Sequence, residues 1–77
     1  MNDTMPVYEI RLHGHLDERR ARQFTGLTMM LLPAGETLLT GPIVDQTALH
    51  GILARIRDMG MSLLEVKQVS PVPESSQ

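Results

Sequence analysis

The chain has 77 residues, a formal charge of −2 and no cysteine, and these properties limit what it can be. One domain of this size buries only about 60% of the surface that its unfolded chain exposes, so we expect association to supplement the core. The acidic balance argues against general nucleic-acid binding, which needs a basic surface and would here depend on the cluster Arg19 to Arg22 alone. The lack of cysteine excludes disulfides and thiolate zinc sites.

The first predicted element is a strand over residues 7–16, which follows a polar N-terminus, residues 1–6, that we expect to be frayed. Apolar and polar side chains alternate along it with a period of two, which is typical of a half-buried strand. One face carries Tyr8, Ile10, Leu12 and Leu16, and the other carries Glu9, Arg11, His13 and His15.

A short helix is predicted next, over residues 18–24. Asp17 precedes it in the position of an N-cap, where a carboxylate accepts bonds from the first free N–H groups. About two turns are too few to form a stable helix without packing, so we expect Phe24 to anchor it in the core.

A β-hairpin is predicted from two apolar runs, residues 27–32 and 36–40, on either side of Pro33-Ala34-Gly35. Proline presets one turn position and glycine supplies a positive φ, which is what a tight connection requires. Gly41-Pro42 then ends or bends the second strand of the hairpin.

The second helix is predicted over residues 46–59, with Asp45 as N-cap and Gly60 as a left-handed C-cap. Helical spacing aligns one apolar stripe, formed by Leu49, Ile52, Leu53 and Ile56. A final strand is predicted over residues 61–69, and the Pro/Ser-rich residues 70–77 are predicted to be disordered.

This order of elements predicts a single α+β domain over residues 7–69. The expected fold is a two-layer β-α-β-β-α-β sandwich of ferredoxin-like topology, with a four-stranded sheet, one short helix and one long helix. The first helix is short for a crossover between parallel strands. A four-stranded antiparallel sheet carrying one main helix is the alternative.

Residues 39–66 (LTGPIVDQTALHGILARIRDMGMSLLEV) resemble a segment of a group of small uncharacterised bacterial proteins. A similar helix in that group follows a Gly-Pro-x-x-Asp entry, continued here as Gln-x-x-Leu-His-Gly, and ends in an Arg-Asp-Leu-Gly-like cap. Residues 14–27 (GHLDERRARQFTGL) also resemble the group, although its tryptophans are absent from this chain. The resemblance implies one compact domain and carries no known activity with it.

The pattern His13-x-His15 is the most suggestive polar feature. Alternation places both imidazoles on one strand face beside Arg11, where they could line a site for a small ligand or bind a metal ion. A metal site needs further ligands, and His50 is the only other histidine. Two histidines on a solvent-facing strand are more often polar surface, so we assign no metal and no cofactor.

One other charged feature is interpreted as surface. Arg19, Arg20 and Arg22 could meet a carboxylate or phosphate, but Asp17 and Glu18 partly neutralise them. No nucleophile motif and no phosphate-binding glycine loop occurs in the sequence, which favours a protein without catalytic activity.

The hairpin provides the main indication of association. Met30 and Leu32 alternate with Leu27, Met29 and Leu31, so both faces of its first strand are apolar. Only one face can cover the helices, and the other needs a partner or an apolar ligand. Gly51, inside the second helix, could allow close approach of a partner backbone or simply be tolerated. We therefore expect a homodimer whose interface includes Met30, Leu32 and Gly51.

The sequence thus predicts a cytoplasmic, homo-oligomeric interaction or regulatory module. The alternative is a small-ligand or metal-binding protein, or a minor enzyme, that uses Arg11, His13 and His15. An unidentified protein or small molecule is a further partner that the sequence allows. A nucleic acid is not expected because of the acidic charge balance, and a membrane is not expected because no apolar stretch approaches the ~20 residues of a membrane span.

Overall fold

The computed structural model describes residues 5–70 and confirms the predicted order of elements. They are β1 (Val7–His13), α1 (Glu18–Ala21), β2 (Thr28–Leu32), β3 (Glu36–Pro42), α2 (Gln46–Asp58) and β4 (Ser62–Ser70). Residues 1–4 and 71–77, predicted to be frayed and disordered, lie outside the described residues. Ser70, predicted as the start of the tail, is instead the last residue of β4.

The four strands form one antiparallel sheet in the order β2-β3-β1-β4. Because β1 and β2 are both antiparallel to β3, they run parallel to each other with β3 between them. For the same reason β3 and β4 run parallel with β1 between them. The fold is therefore α+β, with an antiparallel four-stranded sheet and two helices, and its edges are β2 and β4.

The strand β1 is shorter than predicted, since it ends at His13 and not at Leu16. Gly14 takes a positive φ of 99° and turns the chain away from the strand direction. The buried hydroxyl of Thr37 in β3 stabilises this turn: it donates to the Gly14 carbonyl at 2.7 Å and accepts from the Leu16 amide at 3.1 Å. Leu16 is buried as predicted, but it follows the strand.

The helix α1 is a single turn that ends at Ala21, three residues before the predicted end. The Asp17 carboxylate caps it as predicted, accepting from the Arg20 amide at 2.8 Å. After the helix, the Phe24 amide donates to the Ala21 carbonyl at 3.0 Å, three residues back, which tightens the chain into turns. Phe24 is buried and anchors the segment.

The helix α2 begins and ends through local signals. The Asp45 carboxylate accepts from the Ala48 amide at 2.8 Å at the N-terminus. At the C-terminus Gly60 has a φ of 78°. The Met61 amide donates to the Ile56 carbonyl at 3.2 Å, and the Gly60 amide donates to the Arg57 carbonyl at 2.9 Å. This pair of bonds is the Schellman motif that a left-handed glycine permits.

The hydrophobic core lies between the helices and one face of the sheet. Its buried members come from β1, β3, α2, the segments around α1 and the connection between β3 and α2: Ile10, Leu12, Leu16, Phe24, Leu39, Ile43, Leu49 and Ile56. Both helices contribute to or adjoin this cluster, so the opposite face of the sheet has no helix over it among the described residues. That uncovered surface is the candidate functional site.

Candidate functional site: the uncovered face of the sheet

The outer face is the side of the sheet opposite the core. Along each strand, every second side chain points away from the core and onto this face. Residues directly opposite one another in an antiparallel pair share a face, so the strand register shows which side chains are neighbours there. Met30 pairs with Leu38, Leu38 with Arg11, and Arg11 with Glu65 across all four strands. The outer face includes Glu9, Arg11, His13, Met30, Leu32, Glu36, Leu38, Glu65 and Lys67.

One half of the outer face, on β1 and β4, is charged. Arg11 Nη2 donates to Glu65 Oε1 at 2.8 Å, and Arg11 Nε lies 3.7 Å from Glu36 Oε1. Lys67 Nζ lies 3.9 Å from Glu9 Oε1. These partners keep substantial exposure to water, so each pair contributes only about 0–1 kcal/mol to stability. The cluster holds three carboxylates against two cations, and its charges are largely satisfied internally.

The other half of the outer face, on β2 and β3, is mainly apolar, with Glu36 at one end and the paired Thr28 and Thr40 at the other. Met30 is 54% exposed there. Leu32 and Leu38 are half-buried beside it. Met30 sits on the outermost strand, so this apolar half continues to the edge of the sheet.

A shallow pocket of about 100 Å³ lies where the two halves meet. It is lined by Glu9, Arg11, Leu32, Leu38, Glu65 and Lys67. Its volume is below the range of roughly 300–1,000 Å³ that is usual for small-molecule sites. The pocket combines apolar walls with charged groups of both signs, so it suits at most a small amphipathic molecule.

Of the three residues predicted as a polar site, Arg11 and His13 share the outer face of β1, whereas His15 lies beyond the strand. Arg11 lines the pocket. His13 lies at the end of β1, opposite Glu36 and Ser62. His15 lies beyond the strand, because β1 ends before it, and its Nε2 atom is 3.2 Å from the Leu32 carbonyl oxygen. The expectation that both imidazoles alternate along one strand therefore requires correction.

Metal binding gains no geometric support from these histidines. Within residues 5–70, no group of three histidine, aspartate or glutamate side chains is arranged so that it could hold a metal ion. The role of Arg11, His13 and His15 in ligand binding stays a prediction.

The three residues predicted at an interface do not share one surface. Met30 and Leu32 lie together on the outer face of β2. Gly51 belongs to α2, whose buried residues pack on the core side of the sheet. No described atom outside the helix backbone and the adjacent residues comes within 4 Å of the place where a Cβ of Gly51 would lie.

The arginines considered as an anion site lie on or next to α1, where Arg19, Arg20 and Arg22 are exposed. Arg55 of α2 reaches the same region, since its Nη1 donates to Gln23 Oε1 at 3.3 Å. This contact joins the segment after α1 to the last turn of α2. It does not gather the arginines around a pocket.

Several residues of the outer face were not identified from sequence as members of one site. Glu36, Leu38, Glu65 and Lys67 come from strands that are distant from β1 along the chain. Alternation along a strand indicates the direction of each side chain relative to its own strand only. Only the strand order β2-β3-β1-β4 brings them together, and no local pattern specifies that order.

None of the described helices combines the length and apolar character needed to cross a membrane. A family model described as Domain of unknown function (DUF8691) matches residues 7–67. The match runs from the first residue of β1 into β4 and so includes both helices and the whole outer face. No curated protein and no solved structure matches the chain.

Proposed function

The chain belongs to the DUF8691 family of domains of unknown function, and we propose that it acts as a non-catalytic interaction or regulatory module that works as a homodimer. The observation that carries this proposal is the exposure of large apolar side chains on both sides of β2. Met30 is 54% exposed on the outer face, and Leu31 is 49% exposed on the opposite face. Contiguous exposed apolar surface is a feature of association sites. The other edge strand, β4, exposes Leu63 and Leu64 to a similar extent, but it also carries charged residues, which β2 lacks.

Association also supplies what a small core lacks. Each Å² of apolar surface removed from water contributes about 25 cal/mol, so covering β2 adds favourable free energy to a domain of this size. A second copy of the chain is the occupant we favour, because β2 carries no charge that an identical strand would repel. Methionine, with its flexible thioether side chain, adapts well to such contacts.

The mass of the full chain in solution tests this proposal. Sedimentation equilibrium and light scattering should give about 17 kDa, twice the 8.6 kDa of one chain, with dissociation on dilution. A mass that remains at 8.6 kDa at the highest accessible concentration contradicts the proposal. Crosslinked mass spectra of the same samples give an independent count of subunits.

A second candidate function, binding of a small amphipathic ligand, is supported by the pocket beside Arg11. We propose that Arg11 would hold the polar end of such a ligand while Leu32 and Leu38 contact its apolar part. NMR screening of small zwitterionic compounds against the wild type and Arg11→Ala tests this. If the site extends to His13 and His15, replacing both histidines by alanine should also abolish ligand binding. Unchanged binding would show that the histidines are not part of the site.

We further infer that the architecture is ferredoxin-like. Two interleaved β-α-β units support this topology. In the first unit, β3 lies between the parallel strands β1 and β2; in the second, β1 lies between the parallel strands β3 and β4. Right-handed connections through both units are expected. A crystal structure with a left-handed connection would contradict the inference.

We also propose that the protein works in the bacterial cytoplasm. The absence of cysteine is compatible with a reducing compartment, where disulfides contribute nothing to stability. Fractionation of cells that express the tagged full chain tests this, and recovery of the protein mainly from an extracytoplasmic fraction contradicts it.

A further inference from the structure

The strand β2 has a free lateral edge. It pairs with β3 on one side, and no strand lies on its other side among residues 5–70. Such an edge presents backbone N–H and C=O groups in a row and can be extended by another strand.

The turn that follows β2 shows which backbone groups point outward. The Gly35 amide donates to the Leu32 carbonyl at 3.1 Å, so this carbonyl points toward the β3 side of the hairpin. The direction of backbone groups alternates along a strand in an antiparallel sheet. Thr28 and Met30 therefore bond toward β3 as Leu32 does, and the N–H and C=O groups of Met29 and Leu31 point away from the sheet.

Nothing in the sequence of β2 protects this edge. Natural edge strands are usually blunted by charges, proline or bulges, and Thr28–Leu32 (TMMLL) contains none of them. The other edge, β4, carries Glu65 and Lys67, and its pairing with β1 has two register shifts. Although β4 also exposes two apolar side chains, Leu63 and Leu64, β2 is the edge that has no charge and no register shift, so it is better suited to pairing with another strand.

We propose that two copies of the chain pair through β2, antiparallel, about a two-fold axis at Met30, so that the two sheets form one continuous sheet. This proposal rests on the proposed homodimer and specifies its contact. In this register Met30 faces Met30, Met29 faces Leu31 and Thr28 faces Leu32 of the other copy. All of β2 is then paired.

The register satisfies the outward backbone groups. Met29 and Leu31 are the residues whose N–H and C=O groups point outward, and each faces the other across the axis. About four backbone hydrogen bonds result, and Met30 becomes a non-hydrogen-bonded pair at the centre. No like charges oppose each other, because none of the five residues of β2 is charged.

Edge pairing also explains the exposure pattern better than docking of one outer face on another. Met30 and Leu31 are both about half exposed and lie on opposite faces of β2. A partner placed over the outer face would cover Met30 and leave Leu31 in water. A strand added beside β2 contributes side chains to both faces and shields both residues.

Single cysteine substitutions test the register, because the natural chain contains no cysteine that could interfere. In a non-hydrogen-bonded antiparallel pair the Cα atoms are ~4.5 Å apart, within the ~4.4–6.8 Å that a disulfide requires. We expect Met30→Cys to form an intermolecular disulfide at least about tenfold faster than a matched control, because pairing raises the effective concentration of the thiols. The control is Leu64→Cys on β4, where the native side chain is 47% exposed.

The register predicts a second and independent crosslink. Thr28→Cys and Leu32→Cys should crosslink when the two variants are mixed, and each should crosslink far more slowly alone. Amide exchange of the unmodified chain requires no substitution: the Met29 and Leu31 amides should be protected at high concentration and lose that protection on dilution.

The outcomes separate this inference from the proposed function. If the chain is dimeric but Met30→Cys crosslinks no faster than Leu64→Cys, or the Met29 and Leu31 amides stay unprotected, the homodimer stands and pairing through β2 is overturned. If the chain is monomeric at all concentrations, the proposed function itself fails.

Discussion

Gly41 in β3 lies against Gly26, in the segment that connects α1 to β2. A Cβ atom on Gly41 would come within 2.6 Å of the Gly26 carbonyl oxygen and 3.1 Å of the Leu27 Cα atom. Two backbone segments therefore meet with no room for a side chain. This contact fixes where the chain crosses the end of the sheet before it enters the edge strand β2.

Gly41→Ala should destabilise the fold, because the added methyl group meets backbone atoms of Gly26 and Leu27 in addition to the Leu27 side chain, and the backbone cannot move aside as a side chain can. Overpacking of this type costs about 1–3 kcal/mol. Urea denaturation followed by circular dichroism should show a lower midpoint with an unchanged slope. If the variant unfolds at the wild-type urea midpoint, the segment around Gly26 and Leu27 can move away from β3 at no cost, which contradicts the prediction.

Gly51→Ala makes the same substitution as Gly41→Ala, but at a position where an added methyl group meets no atom of another element within residues 5–70. Gly51 is exposed on α2 and has no close neighbour among the described residues. Alanine is a better helix former there by about 0.8–1.0 kcal/mol, so the variant should be more stable than the wild type. Sedimentation should show the same dimer affinity as the wild type. Weaker dimerisation would indicate that Gly51 is at an interface after all.

Thr37→Val tests the hydroxyl that ends β1. Thr37 is fully buried, and valine keeps its shape but removes both bonds of the hydroxyl. The Gly14 carbonyl and the Leu16 amide would each lose a partner, which costs about 1–3 kcal/mol. Thermal unfolding should show this loss of stability as a lower midpoint temperature. The control is Thr40→Val, at a half-buried position on the outer face of the same strand, which should change stability much less.

Features coded by adjacent residues were predicted well. Asp17 and Asp45 cap their helices, and Gly60 ends α2, because each of these signals acts within four residues of itself along the chain. The hairpin turn at residues 33–35 was predicted for the same reason. These interactions depend on backbone geometry that neighbouring residues determine.

Features that depend on distant residues were predicted less well. The strand β1 ends at His13 because Thr37, from another strand, bonds to Gly14 and Leu16 beyond it. The pocket was missed because Leu32, Leu38 and Glu65 meet only through the strand order. Periodicity predicts the face on which a side chain lies, but it does not identify the neighbouring strand.

The Arg11–Glu65 pair offers a test of whether the charged half of the outer face serves stability or recognition. The two side chains are 2.8 Å apart, and both are more than 40% exposed. A double-mutant cycle with Arg11→Ala and Glu65→Ala should give a coupling free energy below about 1 kcal/mol that decreases as salt is added. Urea titrations of the four proteins at low and high salt measure it.

A small coupling would agree with a solvated ion pair that contributes little to the stability of the protomer. Coupling of several kcal/mol that is insensitive to salt would show instead that the pair is shielded from water. Shielding of this type requires that another molecule covers the outer face, since the protomer alone leaves both groups accessible. The cycle should therefore be repeated above and below the concentration at which the chain dimerises. Pairing through the edge of β2 leaves Arg11 and Glu65 uncovered, so their coupling should be the same at both concentrations, whereas packing of one outer face against another would raise it only in the dimer.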